Sequence, residues 1–221
     1  MSARPLDERD ERPHADAAAE EWVFACWEPD GSVGLLSGYR IHATGADDGW
    51  YWAALVGAGR PLLHVAEWTV PARADPFLVK AHALWAEHTC DDPMRQWTVA
   101  NETYAAALDD PDDALGRAYG VSTAVAFDLE WYATAAPTVV PDGYAQDGVV
   151  HGVVELAGGP LHLTEVPARR WHRWGASLGP LEVPPAYAHT GLRAPFAFPD
   201  GTTTDWVLTP DGWRSRAPAP S

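Results

Sequence analysis

A predicted β-hairpin between residues 148 and 166 constrains the fold of this chain more than any other segment. In residues 149–156 the even-numbered positions are apolar or glycine, whereas the odd-numbered positions include His151 and Glu155, as expected when successive side chains point to opposite faces of a strand. Gly158-Gly159-Pro160 then supplies a turn, and alternation resumes at Leu161. Two such runs around a glycine-rich turn predict an antiparallel hairpin.

Strand-like runs recur along the chain, separated by short turn sequences rich in glycine, proline and aspartate. Short strands joined by tight turns favour an antiparallel meander over βαβ units. Helical signals are weak, with a turn or two at most expected from Asn101 to Ala107 and from Asp109 to Gly116. The sequence therefore predicts an all-β antiparallel fold. The runs are Glu21 to Glu28, Gly34 to His42, Gly49 to Val56, Leu62 to Val70, Phe77 to His88, Gln96 to Leu108, Val121 to Ala133, Gly148 to Leu156 and Leu161 to Val166.

We expect one folded domain, because 221 residues suit a single large all-β domain. Residues 1–19 are charged, alanine-rich and poor in large apolar side chains, which predicts a disordered N-terminal tail. The folded domain is predicted over residues 20–214. It would end in a short hairpin built from Gly191 to Phe198 and Thr202 to Leu208, with residues 215–221 frayed.

The charge and the cysteine content exclude several classes of function. A formal net charge of −16 opposes nucleic-acid and anionic-membrane partners, which need a basic surface. No apolar run is long enough for a membrane span or a secretory signal, so we expect a cytoplasmic protein. Cys26 and Cys90 have neither a disulfide framework nor metal-ligand spacing. The absence of a P-loop or GxGxxG motif indicates no phosphate-bearing cofactor, and none is predicted.

Basic and aromatic side chains are concentrated between Arg169 and Trp174. On a strand, Arg170, His172 and Trp174 would share one face. Two interpretations remain open. The arginines could stack on aromatic rings and pair with acidic loops while a tryptophan closes one end of the fold, or Arg170 and His172 could offer hydrogen bonds to a ligand.

Three segments resemble one protein family. Residues 92–97, DPMRQW, are similar to a "P-[LM]-R-x-W" strand entry, and residues 127–131, FDLEW, are similar to an "F-D-L-x-[WF]" strand. The third combines GYAQ at 143–146, Gly148 and HGVV at 151–154 with RWHRWG at 170–175, which resembles "R-D-H-S-W-G". Over residues 20–175 the chain thus resembles the AttH-like and carotenoid 1,2-hydratase (hydroxyneurosporene synthase) group.

The resemblance implies a lipocalin-like antiparallel β-barrel. Members of the group are often tandem barrels, whereas only 46 residues follow Gly175 here, so we expect a single-barrel, divergent member with a C-terminal hairpin extension. The family's Asp-His pair would act as the acid/base centre for hydrating a double bond. Trp171 stands in place of that Asp and Arg173 in place of the Ser. We therefore expect His172 to lack an orienting carboxylate and to be made more acidic by the flanking arginines.

We predict that the protein binds a small hydrophobic molecule, isoprenoid- or polyketide-like, in a barrel cavity. One alternative is a hydratase, isomerase or cyclase with His172 as acid/base and Arg170 or Tyr144 polarising the substrate. A second is a structural accessory protein with a filled barrel. The oligomeric state is left open. The predicted ligand-binding residues are Arg170, Trp174, Tyr144, Gln146, His151 and Glu130, with His172 as the catalytic candidate.

No metal site is predicted. His82 and His88 lie an even number of residues apart and, with Glu67 on a neighbouring strand, would imitate one, but nothing in the sequence brings the three residues together, so surface or core histidines are favoured. His151 and Glu155 share a strand face, where a polar cross-strand pair is favoured over a catalytic dyad.

Overall fold

A computed structural model describes residues 6–42, 49–178 and 192–216. Two short 3₁₀ helices are present, at Glu8–Glu11 and Pro111–Leu115. Strands β1 to β14 are, in chain order, Ala19–Trp27, Gly34–His42, Gly49–Val56, Leu62–Val70, Leu78–Ala81, Leu84–Asp92, Gln96–Leu108, Val121–Ala133, Thr138–Val140, Gly143–Leu156, Leu161–Gly175, Arg193–Ala197, Thr203–Thr209 and Gly212–Arg216.

The strands form a large antiparallel sheet and a small one. The large sheet has the order β4-β3-β2-β1-β11-β10-β8-β7-β6-β5, with β9 paired to β10. Strand β4 also pairs with β7, through Leu62–Leu108, Leu63–Ala107 and His64–Ala106, so the series of pairings returns to its first strand. The small sheet has the order β12-β13-β14. The predicted all-β antiparallel fold is confirmed.

Most predicted strands are present, and the bounds of β2, β3, β4, β7 and β8 match the prediction. The central hairpin is formed by β10 and β11, both longer than predicted. The run from Phe77 to His88, predicted as one strand, is instead two. It reverses before Leu84 at Ala83, which has a positive φ of 57°. The weak helical signal near Asp109 corresponds to the second 3₁₀ helix.

Two cores lie on opposite faces of the large sheet. The inner core receives side chains from every strand of that sheet except β9, and its largest members include Trp22, Tyr51, Trp97 and Trp131. The outer core lies between the large sheet and the small C-terminal sheet. Its aromatic side chains are Trp27, Trp50, Trp52, Trp171, Phe196, Phe198, Trp206 and Trp213.

Both ends of the chain differ from the prediction. Residues 8–11, expected in a disordered tail, form a 3₁₀ helix with an Asp7 capping box, and the Glu11 side chain is buried. The C-terminal extension is a three-stranded sheet instead of a hairpin, and Ser215 lies in β14 instead of a frayed end. Residues 217–221 and the start of the predicted hairpin at Gly191 fall outside the described residues. In the part of the chain that is described, no helix is long and apolar enough to cross a membrane.

Candidate functional site

Three neighbouring strands bring the predicted site residues together. Strand β11 lies between β1 and β10, so that His172 is opposite Trp22 on one side and Tyr144 on the other. Arg170 is likewise opposite Gln146 on β10. Because side chains alternate along a strand, Arg170 and His172 share one face. That face is the inner-core face of the sheet.

Arg170 is the centre of a buried hydrogen-bond network. Its guanidinium donates to both carboxylate oxygens of Glu11, at 2.6 and 2.8 Å, and to Gln146 Oε1 at 2.7 and 3.1 Å. Tyr144 Oη donates to Glu11 at 2.7 Å. The guanidinium carbon also lies 5.0 to 5.5 Å from three ring centroids. These rings belong to Trp97, Trp131 and Tyr144.

This network binds Arg170 tightly to the protein itself. Burial opposes ionisation of Glu11, but the hydrogen bonds and charge of Arg170 hold the pKa of that carboxyl below its usual value. Gln146 completes the network by donating to the carbonyl oxygens of Met94 and Ala135, at 3.0 and 2.9 Å. Arg170, Tyr144 and Gln146 thus lie together in one network of protein–protein hydrogen bonds. The geometry matches the interpretation in which arginine stacks on rings and pairs with an acid.

His172 belongs to a second buried cluster. Its Nε2 lies 2.6 Å from Glu20 Oε1, and His14 Nδ1 lies 2.7 Å from the same oxygen. The ring stacks on Trp22 with centroids 4.5 Å apart, and His14 stacks on Trp174 at 4.0 Å. His172 Nδ1 is buried and has no hydrogen-bond partner among the described residues.

The environment of His172 differs from the expectation in two respects. An orienting carboxylate is present, supplied by Glu20 on β1 rather than by a sequence neighbour. The pKa of His172 is lowered mainly because burial removes the ring from water. Glu20 acts in the opposite direction, and the causes of the shift do not include the flanking arginines. Sequence proximity was misleading because adjacent residues on a strand point to opposite faces.

His151 and Glu130 lie apart from these clusters. They are opposite each other on β10 and β8, with Glu130 exposed and His151 half-buried. Tyr132 Oη donates to Glu130 at 3.1 Å, and its ring contacts His151 edge-on at 5.8 Å. The structure therefore places these two residues on the outer face, away from Arg170 and His172.

A third polar cluster lies beneath the small sheet and includes Arg173, whose side chain points to the opposite face of β11 from that of His172. Glu21 accepts hydrogen bonds from Arg40 at 2.7 and 3.1 Å and from Arg173 Nε at 2.8 Å. Two cations around one buried carboxylate hold the pKa of Glu21 below its usual value despite desolvation. Arg40 also lies over Trp50 and Phe198, at 5.1 and 5.0 Å from their centroids.

A fourth cluster, in the inner core, was missed by the sequence reasoning. Asn101 Nδ2 donates to Tyr51 Oη at 2.7 Å, and Ser37 Oγ lies 3.1 Å from that hydroxyl and 3.0 Å from His88 Nε2. Desolvation lowers the pKa of His88 to about 3. Asn101 Oδ1 and His88 Nδ1 are buried without partners among the described residues. One feature of the sequence could have indicated this cluster: Asn101 is the sole asparagine of the chain, and it lies at an inward position of β7.

Several concave features lie near Asn101. Asn101 itself lines a very small space of about 10 Å³, together with apolar side chains that include Leu55, Val125 and Phe127. Val125 also lines an open concavity of about 720 Å³, formed by β5, β6, β7, β8 and β10. The remainder of the inner core near His172 and Arg170 is filled by tryptophan and phenylalanine rings. Val125 therefore lies between the Asn101 cluster and the concavity of about 720 Å³, whereas aromatic rings fill the inner core beside β11.

Comparisons with known proteins add little to this geometry. No family model matches this chain, and neither does any curated protein. A solved structure described as "Crystal structure of CghA with Sch210972" is similar to 72% of this chain, with 11% sequence identity and a TM-score of 0.36. The similarity spans 45% of that chain. A likeness at this level identifies no family, so the functional argument depends on the residues of the site.

Proposed function

We propose that the protein is a lipocalin-like barrel that binds a small, neutral, hydrophobic molecule with a hydroxyl group, isoprenoid- or polyketide-like in character. The β4–β7 pairing supports the proposed barrel, as does an inner core to which nearly every strand of the large sheet contributes. The bound molecule would occupy the open concavity of about 720 Å³.

The observation that carries this proposal is the half-paired amide of Asn101. One end bonds Tyr51, and the other end has no partner among the residues that the structure describes, although Asn101 is only 1% exposed. Leaving a buried polar atom unpaired costs about 1 to 3 kcal/mol. Either orientation of the amide leaves one end free, and a hydroxyl satisfies either because it both donates and accepts.

The path from the concavity to Asn101 passes Val125, which lines both spaces. A rotamer change at one valine is an ordinary adjustment on ligand binding. The rim carries Glu102 and Glu155, so like-charge repulsion disfavours anionic lipids such as fatty acids. These features favour an alcohol over a carboxylate of the same carbon skeleton.

Binding is tested by tryptophan fluorescence with a matched series: an isoprenoid alcohol, its carboxylic acid and its hydrocarbon. Trp85 lines the concavity and serves as a reporter. We expect the alcohol to bind most tightly and Asn101→Leu to weaken alcohol binding about tenfold while leaving hydrocarbon binding unchanged. Thr123→Val on β8 removes a hydroxyl outside both spaces and serves as the control.

Native mass spectrometry of the purified protein provides an independent readout, since a retained lipophilic compound adds a defined mass. If the wild type and Asn101→Leu each bound the alcohol and the hydrocarbon with equal affinity, Asn101 would not be part of the binding site. If none of the series gave saturable quenching, binding would be refuted, and the ring-filled inner core would instead fit an accessory protein.

The Glu20–His172 contact favours a second candidate, an enzyme that hydrates, isomerises or cyclises a small hydrophobic molecule at His172, a site separate from the concavity. A carboxylate at 2.6 Å orients the imidazole and acts against the desolvation that lowers its pKa, as a partner of an acid/base histidine would. Incubation of the bound compound with the protein distinguishes the carrier function from the enzyme function. A change in its mass or retention time that depends on His172 would support the enzyme, and an unchanged compound would support the carrier.

A further inference from the structure

His14, Glu20 and His172 form a compact set of potential metal ligands. One ligand atom from each residue lies within 4.8 Å of the others. His14 precedes β1, Glu20 is on β1, and His172 is on the paired strand β11. Three residues from three positions of the fold thus converge on one point, at the side of the inner core distant from the concavity residues.

The cluster contains two buried carboxyl side chains. Glu20 is 1% exposed and, among the residues that the structure describes, its ion-pair partners are the two histidines. Asp10 is also buried, with Oδ1 4.0 Å from His14 Nε2. A carboxylate in the interior of a protein is costly unless a cation or hydrogen bonds compensate it, and a divalent ion bound between these side chains would supply the positive charge.

The donor set has a specific metal preference. Two imidazole nitrogens and one carboxylate oxygen suit Zn²⁺ and related first-row ions, whereas Mg²⁺ and Ca²⁺ prefer oxygen ligands. Ligand atoms around tetrahedral zinc are roughly 3.3 Å apart, given bonds of about 2.0 Å. The two nitrogens, now 2.6 and 2.7 Å from Glu20 Oε1, would each need to move by roughly 0.7 Å.

We propose that His14, Glu20 and His172 bind a divalent transition-metal ion, with Zn²⁺ as the best fit. Three protein ligands leave a fourth position open to water or to another small ligand. Asp10 would support the site from behind by accepting a hydrogen bond from His14 Nε2, the usual role of a carboxylate next to a metal-bound histidine. His14 is 20% exposed, and it provides the route by which the ion enters.

The experiment begins with protein dialysed against a chelator and titrated with ZnCl₂ in competition with a chromophoric chelator. We expect about one Zn²⁺ per chain with micromolar or tighter affinity, and no competition by millimolar Mg²⁺. His14→Gln should weaken binding at least tenfold, and Glu20→Gln should do the same. His151→Gln removes a half-buried histidine on the outer face and should leave the affinity unchanged.

Co²⁺ provides a readout on the wild-type chain that does not require any variant to fold. Visible absorption bands of moderate intensity would indicate four-coordinate Co²⁺ with nitrogen and oxygen ligands, and Zn²⁺ should displace them. Weak octahedral bands together with Zn²⁺ affinity equal in wild type and His14→Gln would overturn the proposal. The cluster would then be a hydrogen-bonded His-Glu-His set only. Neither outcome bears on ligand binding at Asn101.

Discussion

Arg170 shows how far single residues could be interpreted from the sequence. Strand alternation predicts correctly that Arg170 and His172 share one face, because the period of a strand is two residues, but it does not predict that this face points inward. Their acidic partners were not predictable: Glu11 is 159 positions from Arg170, and Glu20 is 152 positions from His172. Pairing at such separations is set by the three-dimensional fold. The same limit applies to Tyr51 and Asn101, which are 50 positions apart.

The Glu11–Arg170 pair is predicted to be essential for stability. Removing one member leaves the other as an uncompensated buried charge, so Arg170→Met or Glu11→Gln should each lower the free energy of unfolding by about 3 to 5 kcal/mol. The double variant should cost less than the sum of the single ones. Guanidinium denaturation measures all three. Arg169→Gln is the matched control, because Arg169 pairs with exposed Asp147 and should lose less than about 1 kcal/mol.

A loss at Arg170 no larger than that at Arg169 would contradict this account of the network. It would mean that neither the charge pair with Glu11 nor the stacking of Arg170 on the surrounding rings contributes appreciably to stability.

At the level of elements, strand bounds were predictable wherever a recognisable turn sequence separates two alternating runs. Gly57-Ala58-Gly59 ends β3 in this way, and Gly158-Gly159-Pro160 ends β10. The reversal between β5 and β6 has no glycine or proline and was missed. Ala83 adopts a left-handed conformation there, with φ of 57°, which an alanine side chain disfavours. Pairing of β6 with β7 over eight residue pairs holds the turn in spite of this local cost.

Replacing Ala83 by glycine should therefore stabilise the protein. Glycine adopts positive φ without the steric cost of a Cβ atom, although the more flexible unfolded chain offsets part of the gain. We expect an increase of about 0.5 to 1 kcal/mol in the free energy of unfolding, measured by urea denaturation. Ala81→Gly in β5, where the backbone is an ordinary strand, should destabilise by a similar amount. Destabilisation by both substitutions would show that Ala83 is not strained.

For the whole molecule, the two cores divide the tryptophans in a way that the sequence did not reveal. The β1–β11 register pairs Trp22 with His172, so alternation along β11 puts Trp171 on the opposite face from Trp22, and the tertiary structure shows that this second face is covered as well. The C-terminal sheet supplies that cover, and it buries His64 of β4. The His64 ring stacks on Phe196 at 4.5 Å, and Nε2 lies 3.2 Å from the carbonyl oxygen of Pro195.

This burial makes stability depend on pH. Desolvation lowers the pKa of His64 to about 4 and that of His88 to about 3, against about 6.5 in the unfolded chain. The unfolded state therefore binds more protons between these values, and stability present above pH 6.5 is lost as the pH falls. Between pH 7.5 and 5 we expect a loss of about 2 kcal/mol per histidine, measured by guanidinium denaturation. Glu11 and Glu21, whose pKa values are depressed, titrate below this range.

His64→Leu isolates the contribution of the interface between the two sheets. It removes the titrating ring, so the loss between pH 7.5 and 5 should shrink by about 2 kcal/mol even if the variant is less stable at pH 7.5. His151→Gln, on the outer face, should retain the wild-type pH dependence. If His64→Leu also retained it, the ring would already be accessible to protons in the folded state. The C-terminal sheet would then open in solution, and the outer core would not persist as a packed unit.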